Sequence, residues 1–336
     1  VIWPNKKPEA GEMSIQQLKS IGKPAHISIV LTLISFREQT ATIRMDNQNE
    51  IKALVTLLDD EDRDIFYMVR NRLIEYGHDV VPELEAAWEA SFNPLIQQRI
   101  EDIVNQIQFD SIRSGLKNWV ERGALDLMEG WLLLTRYQYP DMDEKKLLAQ
   151  LDRIRKDAWI EINDDQTALE KVKVLNHILF GIHGFTTNST NYHAPGNNFI
   201  NNLFESKKGN AASLTALYVI LAQKLMIPVY GVNLPNHFIL AYKDNSPTSL
   251  LFNLKDEERI LFYVNPLNKG TVFSRREIDV FVKRLNLSYD ASYYLPCSNA
   301  VILSVLLENL IKAFKEDGRK EKCEELEKLI EILAAE

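Results

Sequence analysis

From Ala211 to Leu225 the chain is apolar on nearly every face of a helix, and a helix without a polar face has to be enclosed by other elements. No other stretch limits the fold as much, because structure must be found on all sides of it. Downstream, short runs rich in β-branched and aromatic residues read as strands: Pro228–Val232, His237–Tyr242, Leu250–Leu254 and Ile260–Val264. Ser274 and Glu277 form a capping box that opens an amphipathic helix with Ile278, Phe281, Val282 and Leu285 on its core face. The pattern predicts an α+β unit, one buried helix against an antiparallel sheet.

Upstream, apolar spacing is helical from about Ile51 to Ile162. Ile65, Phe66, Val69 and Leu73 make one stripe, closed by Gly77. The next two helices open with Pro82 and Pro94 in their first turns, where a missing N–H costs nothing. Leu84, Trp88 and Phe92 are expected as one buried stripe, and Ile96, Ile100, Ile103, Ile107 and Leu116 as another. Short connections between such helices imply antiparallel hairpins. A further helix carries Leu147, Leu151, Ile154, Ala158 and Trp159. Another carries Leu169, Val172, Leu175 and Leu179 and stops at Gly181–Gly184. A polar loop follows over Thr186–Asn198.

At the C-terminal end, Ser298 caps a helix through Phe314, and Gly318 separates it from a last helix bearing Leu326, Leu329, Ile330 and Leu333. This pair reads as one tetratricopeptide-like hairpin. Its strip of Ile302, Val305, Leu306, Leu310 and Phe314 needs a cover, so removing the hairpin is expected to cause aggregation without unfolding the core. The expected divisions are a doubtful leader or upstream translation at 1–44, with Met45 as the natural start, a helical-hairpin domain at 45–165, the buried-helix core at 166–290 and the hairpin at 291–336.

Of 336 residues, 46% are hydrophobic and 26% charged, which is a globular profile. The net charge of −8 opposes non-specific binding to nucleic acid or an anionic membrane. Two cysteines, Cys297 and Cys323, form neither a disulfide framework nor a metal knuckle, which suits a reducing cytoplasm. The longest apolar run, Ile27–Ile34, is too short to span a bilayer. His177 and His183 fall on different helix faces, His26 and His78 read as surface residues, and there is no phosphate-binding glycine loop, so neither a metal nor a cofactor is expected.

A buried helix followed by antiparallel strands is a layout that supports cysteine chemistry. A Cys in the first helical turn gains thiolate character from the helix N-terminus, a His at the start of a strand takes its proton, and an Asp or Asn on the next strand orients the imidazole. The stretches Leu175–Phe185, Tyr192–Asn197, Lys208–Leu214 and Gly231–Phe238, together with Leu57–Asp60 and Gln97–Ile100, resemble the SirB-type branch of bacterial transglutaminase-like proteins over roughly Glu50–Leu285.

The resemblance implies a helical N-terminal region packed on a transglutaminase-like (papain-like) core. Carried over by position, it puts Ala211 where catalytic members of the wider superfamily have Cys, His237 at the histidine and Asn265 at the third member. A methyl group cannot attack a carbonyl, and losing the nucleophile removes about as much catalysis as losing the whole unit. Ser213 is rotated away from His237 on the helix, and Cys297 reads as structural. Tyr192, Asn197, Asn198, Asn210, Asn236, His237 and Asn265 are the candidates to line a remaining cleft for a protein segment or small ligand. Three roles stay open: a non-catalytic binding or regulatory module, a hydrolase or acyltransferase using His237 as general base on water, and a structural interaction scaffold. For His237 itself, one alternative is that it only bonds Asn265 and pins two strands.

Overall fold

The computed structural model describes residues 48–334 except 61, 236 and 253. The expectations for residues 1–44, Met45, His26 and Asn236 lie outside the described residues. Contacts divide the chain into two compact units that meet between Ile107 and Gln108. Among the described residues no helix is long and apolar enough to cross a membrane.

The first unit is helical. Residues 48–56 form helical turns, then come helices Arg63–Tyr76 and Val81–Ala90 and the start of a long helix, Pro94–Glu121. Asp62 caps the first of these through Asp64 N–H, and Gly77 ends it at φ 62°, where a side chain would be strained. Ile51, Leu58, Val69, Leu73, Val80, Leu84, Ile100, Ile103 and Ile107 form its core. The Leu84–Trp88–Phe92 stripe is not a buried one. Leu84 is buried, but Trp88 is 38% and Phe92 97% exposed. The helix stops at Ala90 and Ser91 turns extended, so Phe92 leaves the helical face that the spacing assumed.

The second unit is built around the central helix Ala211–Lys224, in which every residue from Ala211 to Ala222 is buried. On one side lies a four-stranded antiparallel meander: β3 (Val229–Leu234), β4 (His237–Lys243), β5 (Ile260–Asn265) and β6 (Thr271–Phe273). A two-residue parallel pair, β1 (Thr186–Thr187) and β2 (Lys208–Gly209), precedes it in sequence. Alternation along β4 divides the two faces of the sheet. Phe238, Leu240 and Tyr242 share the core of the central helix. Ile239 and Ala241 share a smaller core with Ile278 and Val282 of the helix Arg275–Arg284. The expected strand at Leu250–Leu254 is instead a short helix, Pro247–Leu251. Pro247 opens it, and Ser246, which caps Ser249 N–H, is itself tied to Asp244.

Helices Leu127–Arg136, Glu144–Glu161 and Ala168–Asn176 cover the remaining sides of the central helix through Trp131, Leu151, Ile154, Val172 and Leu175. Trp159, expected in that core, is 65% exposed, because it sits one residue round the helix from buried Ala158. Leu169 is also exposed, at 39%.

The C-terminal hairpin, Asn299–Glu316 and Lys320–Leu333, is part of the same core. Ile302, Leu303, Leu306, Leu307 and Leu310 join the cluster that holds the central helix. Gly231 on β3 touches Ile302 and Cys297, and Cys297 N–H donates to the Gly231 carbonyl. The hairpin therefore does more than cover a strip. Truncation after Pro296 is expected to abolish cooperative unfolding, and Leu306→Ala to cost about 2–5 kcal/mol, both read from urea titration by circular dichroism. A truncated chain that keeps a sharp transition and a native near-ultraviolet spectrum would contradict this.

Candidate functional site

A helix whose start is buried cannot leave its first N–H groups to water. Here Asn210 supplies the cap, its Oδ1 accepting from Ser213 N–H at 3.0 Å while Ser213 Oγ accepts from Asn210 N–H at 3.0 Å. Asn210 Nδ2 donates to Asn198 Oδ1 at 2.8 Å, and the Asn198 carbonyl accepts from the indole of buried Trp131 at 2.8 Å. Asn197 completes the bracket by donating to the carbonyls of Asn191 and Tyr192 and accepting from Asn188 Nδ2. Gly209 makes the close approach possible, since a Cβ there would lie 2.5 Å from Ser213 Oγ. The bracket holds Tyr192 over the helix start, where its hydroxyl accepts from Ala211 N–H at 3.3 Å.

The cleft above Ala211 has a volume of about 350 Å³. Tyr192, Asn198, Asn210, Ala211 and His237 line it, as the sequence suggested. Asn197 is buried beneath the loop and Asn265 belongs to a neighbouring cavity. Ser213 is fully buried in its cap. The opposite wall comes from the C-terminal hairpin: Val305, Glu308, Asn309 and Lys312. Sequence reasoning missed these. Their signal is the polar spacing Glu308, Asn309 and Lys312 on a helix otherwise rich in core residues. Glu308 is exposed as a residue, yet desolvation of its carboxyl raises its pKa above the ordinary carboxylate range.

The three positions that the resemblance assigned to a catalytic unit are not joined by hydrogen bonds. Ala211 presents a methyl group. His237 precedes Ile239 by two residues, so alternation turns it toward the face away from the central helix, and its ring stands edge-on to Phe281 at 4.7 Å between centroids. Asn265 Oδ1 accepts from Leu267 N–H at 3.0 Å, capping its own turn, and no hydrogen bond joins Asn265 to His237. Neither the orienting nor the strand-pinning hydrogen bond expected between Asn265 and His237 is present, and the Asn265 oxygen serves its own turn.

That turn is fixed by another residue with no role assigned from the sequence. Asn176 Nδ2 donates to the Gly270 carbonyl at 2.7 Å, and Asn176 Oδ1 accepts from the Tyr218 hydroxyl at 3.1 Å. Gly270 has φ 75°, and a Cβ there would lie 1.9 Å from the Asn176 amide, so only glycine fits.

Among the described residues no cluster of His, Cys, Asp or Glu is able to hold a metal ion. His183 instead bonds Asp157 at 2.8 Å. Burial pushes the Cys297 thiol up to about 12. A raised thiol pKa means little thiolate at neutral pH, so iodoacetamide at pH 7.5 is expected to label Cys297 far more slowly than free cysteine. Rapid stoichiometric labelling, read by intact mass, would make Cys297 a reactive centre. Asn210→Ala is expected to destabilise by about 1–3 kcal/mol, since it strands Ser213 N–H and Asn198 Oδ1 in a buried site.

Residues 145–308 match the model of the transglutaminase-like superfamily. A protein of Xylella fastidiosa, named only as a UPF0162 protein, is 31% identical over 121 residues, 36% of this chain and 43% of its own length. Protein SirB1 of Salmonella typhimurium is 23% identical over 199 residues, 58% of this chain and 69% of its own. The UPF0162 protein YchA of Escherichia coli is 24% identical over the same shares. The chain spans less than half the length of the first of these relatives. No solved structure matches it. Residues 145–308 thus carry a transglutaminase-like domain, and the chain is similar to SirB1 and YchA.

Proposed function

We propose that this chain is a non-catalytic member of its family, a binding or regulatory module that takes a protein segment or small ligand in the cleft above Ala211. One observation carries the reading. Among the described residues, no Cys, Ser or Thr side chain lines that cleft, and the position of the nucleophile holds a methyl group. The cleft is open, not filled by aromatic side chains, which favours a ligand site over a purely structural scaffold. Its acidic net charge and bacterial relatives agree with a role in a bacterial cytoplasm.

A hydrolase or acyltransferase with His237 as general base on water is the rival. Glu308 favours it, because a desolvated carboxyl in the same cleft is a reasonable proton donor. Against it, His237 has no orienting hydrogen bond and packs on Phe281.

Ala211→Cys separates the two readings. Lacking a facing imidazole, the new thiol is expected to gain only what the helix N-terminus provides. Its pKa should lie close to or slightly below the free value of about 8.5, and adding His237→Ala should not move it. The pH dependence of alkylation measures both. A thiol pKa several units lower that returns to about 8.5 with His237→Ala would mean that a working dyad geometry survives, and would favour the catalytic reading.

A further inference from the structure

His237 lies on a rib between two cavities of opposite character. The cleft on the Ala211 side is polar. Among the described residues His237, Asn233, Glu308, Asn309 and Lys312 have no hydrogen-bond or ion-pair partner there. Glu308 and Lys312 are four apart on one helix, a spacing at which Glu and Lys ordinarily pair, yet no salt bridge joins them. The second cavity, of about 220 Å³, shares Leu234, His237 and Phe238 with the first and continues between the sheet and the helix Arg275–Arg284. Leu267, Phe273, Ile278 and Phe281 make its apolar walls. Its two other polar wall residues each engage one oxygen locally, Asn265 with Leu267 N–H and Glu277 in its capping box with Ser274.

We infer that these two compartments form one site for an extended peptide segment, whose single apolar side chain, of leucine or phenylalanine size, fills the Phe281 cavity beside His237. This rests on the binding reading above and adds the chemistry of the occupant. The second cavity is walled mainly by apolar side chains, so an apolar group gains from entering it and a polar group loses more of its water. The first offers unpaired amides and both charges, which suits peptide N–H and C=O groups arriving in alternation. A small polar metabolite would leave the Phe281 cavity empty, and a purely apolar ligand would leave Glu308 and Lys312 desolvated and unpaired.

The thiol introduced by Ala211→Cys makes the site readable with defined probes. Acetyl-tripeptide chloromethyl ketones carrying Leu, Phe, Gly or Asp at each position in turn are reacted with the full chain. The thiolate sulfur bonds the methylene carbon, the carbon–chlorine bond breaks and chloride leaves. Rates come from intact mass, with the unaltered chain as the blank for Cys297 and Cys323.

At one position of the probe, Leu and Phe are expected to react on the order of tenfold to a hundredfold faster than Gly or Asp. Phe281→Trp, which fills the cavity, should erase that preference, and Phe281→Ala should tilt it toward Phe. Labelling at one rate for all side chains would overturn the apolar subsite while leaving an accessible cleft. Labelling no faster than the blank for every probe would overturn both the subsite and the binding reading. A side-chain preference that Phe281→Trp leaves intact would place the subsite elsewhere and also overturn the inference.

Discussion

Burying a helix on every side removes water from its first turn, and the capping of that turn organises the rest of the second unit. Asn210, Asn198 and the Trp131 indole form a chain of hydrogen bonds from the helix start to a helix some eighty residues upstream in sequence. Each member is buried, so each bond broken strands a partner away from solvent. The loop that carries Tyr192 and Asn197 is held by the same bonds. The residue that this capped first turn presents to the cleft is Ala211.

The retained cap and the lost chemistry follow different rules. The cap is a stability requirement, because an unpaired buried N–H costs free energy whatever the chain does. The nucleophile and its partners are required only for turnover. His237 has no hydrogen bond toward the helix, and its ring rests on Phe281. Asn265 likewise spends its oxygen on the turn that Asn176 and Gly270 fix from the other side. Both side chains are thus engaged locally, and the concave surface between them and the hairpin is held by the cap.

Much of this was legible in the sequence where one physical rule decides the outcome. The unbroken apolar run of Ala211–Leu225, the Ser274–Glu277 box and the strands beginning at His237 and Ile260 all appear within a residue or two of their expected bounds. The errors cluster where a local rule competes with a packing one. Phe92 and Trp159 continue apolar spacing but lie past a helix end or one position off its buried face. Leu250–Leu254 has strand composition, yet Pro247 and the serine caps before it open a helix.

The far wall of the cleft was the least legible part, for a reason that bears on function. Glu308, Asn309 and Lys312 lie on the C-terminal hairpin, which periodicity marks only as a helix needing a cover. The superfamily match stops at residue 308, at the first of these three side chains. The hairpin's core residues are tied to the central helix by packing. The side chains of Glu308, Asn309 and Lys312 have no such tie, since among the described residues they make no hydrogen bond or ion pair. Side chains free to vary without cost to the core are where recognition is set. The stability requirement in this unit is therefore the buried bracket at Asn210, whereas the hairpin face opposite it carries polar side chains that the core does not need.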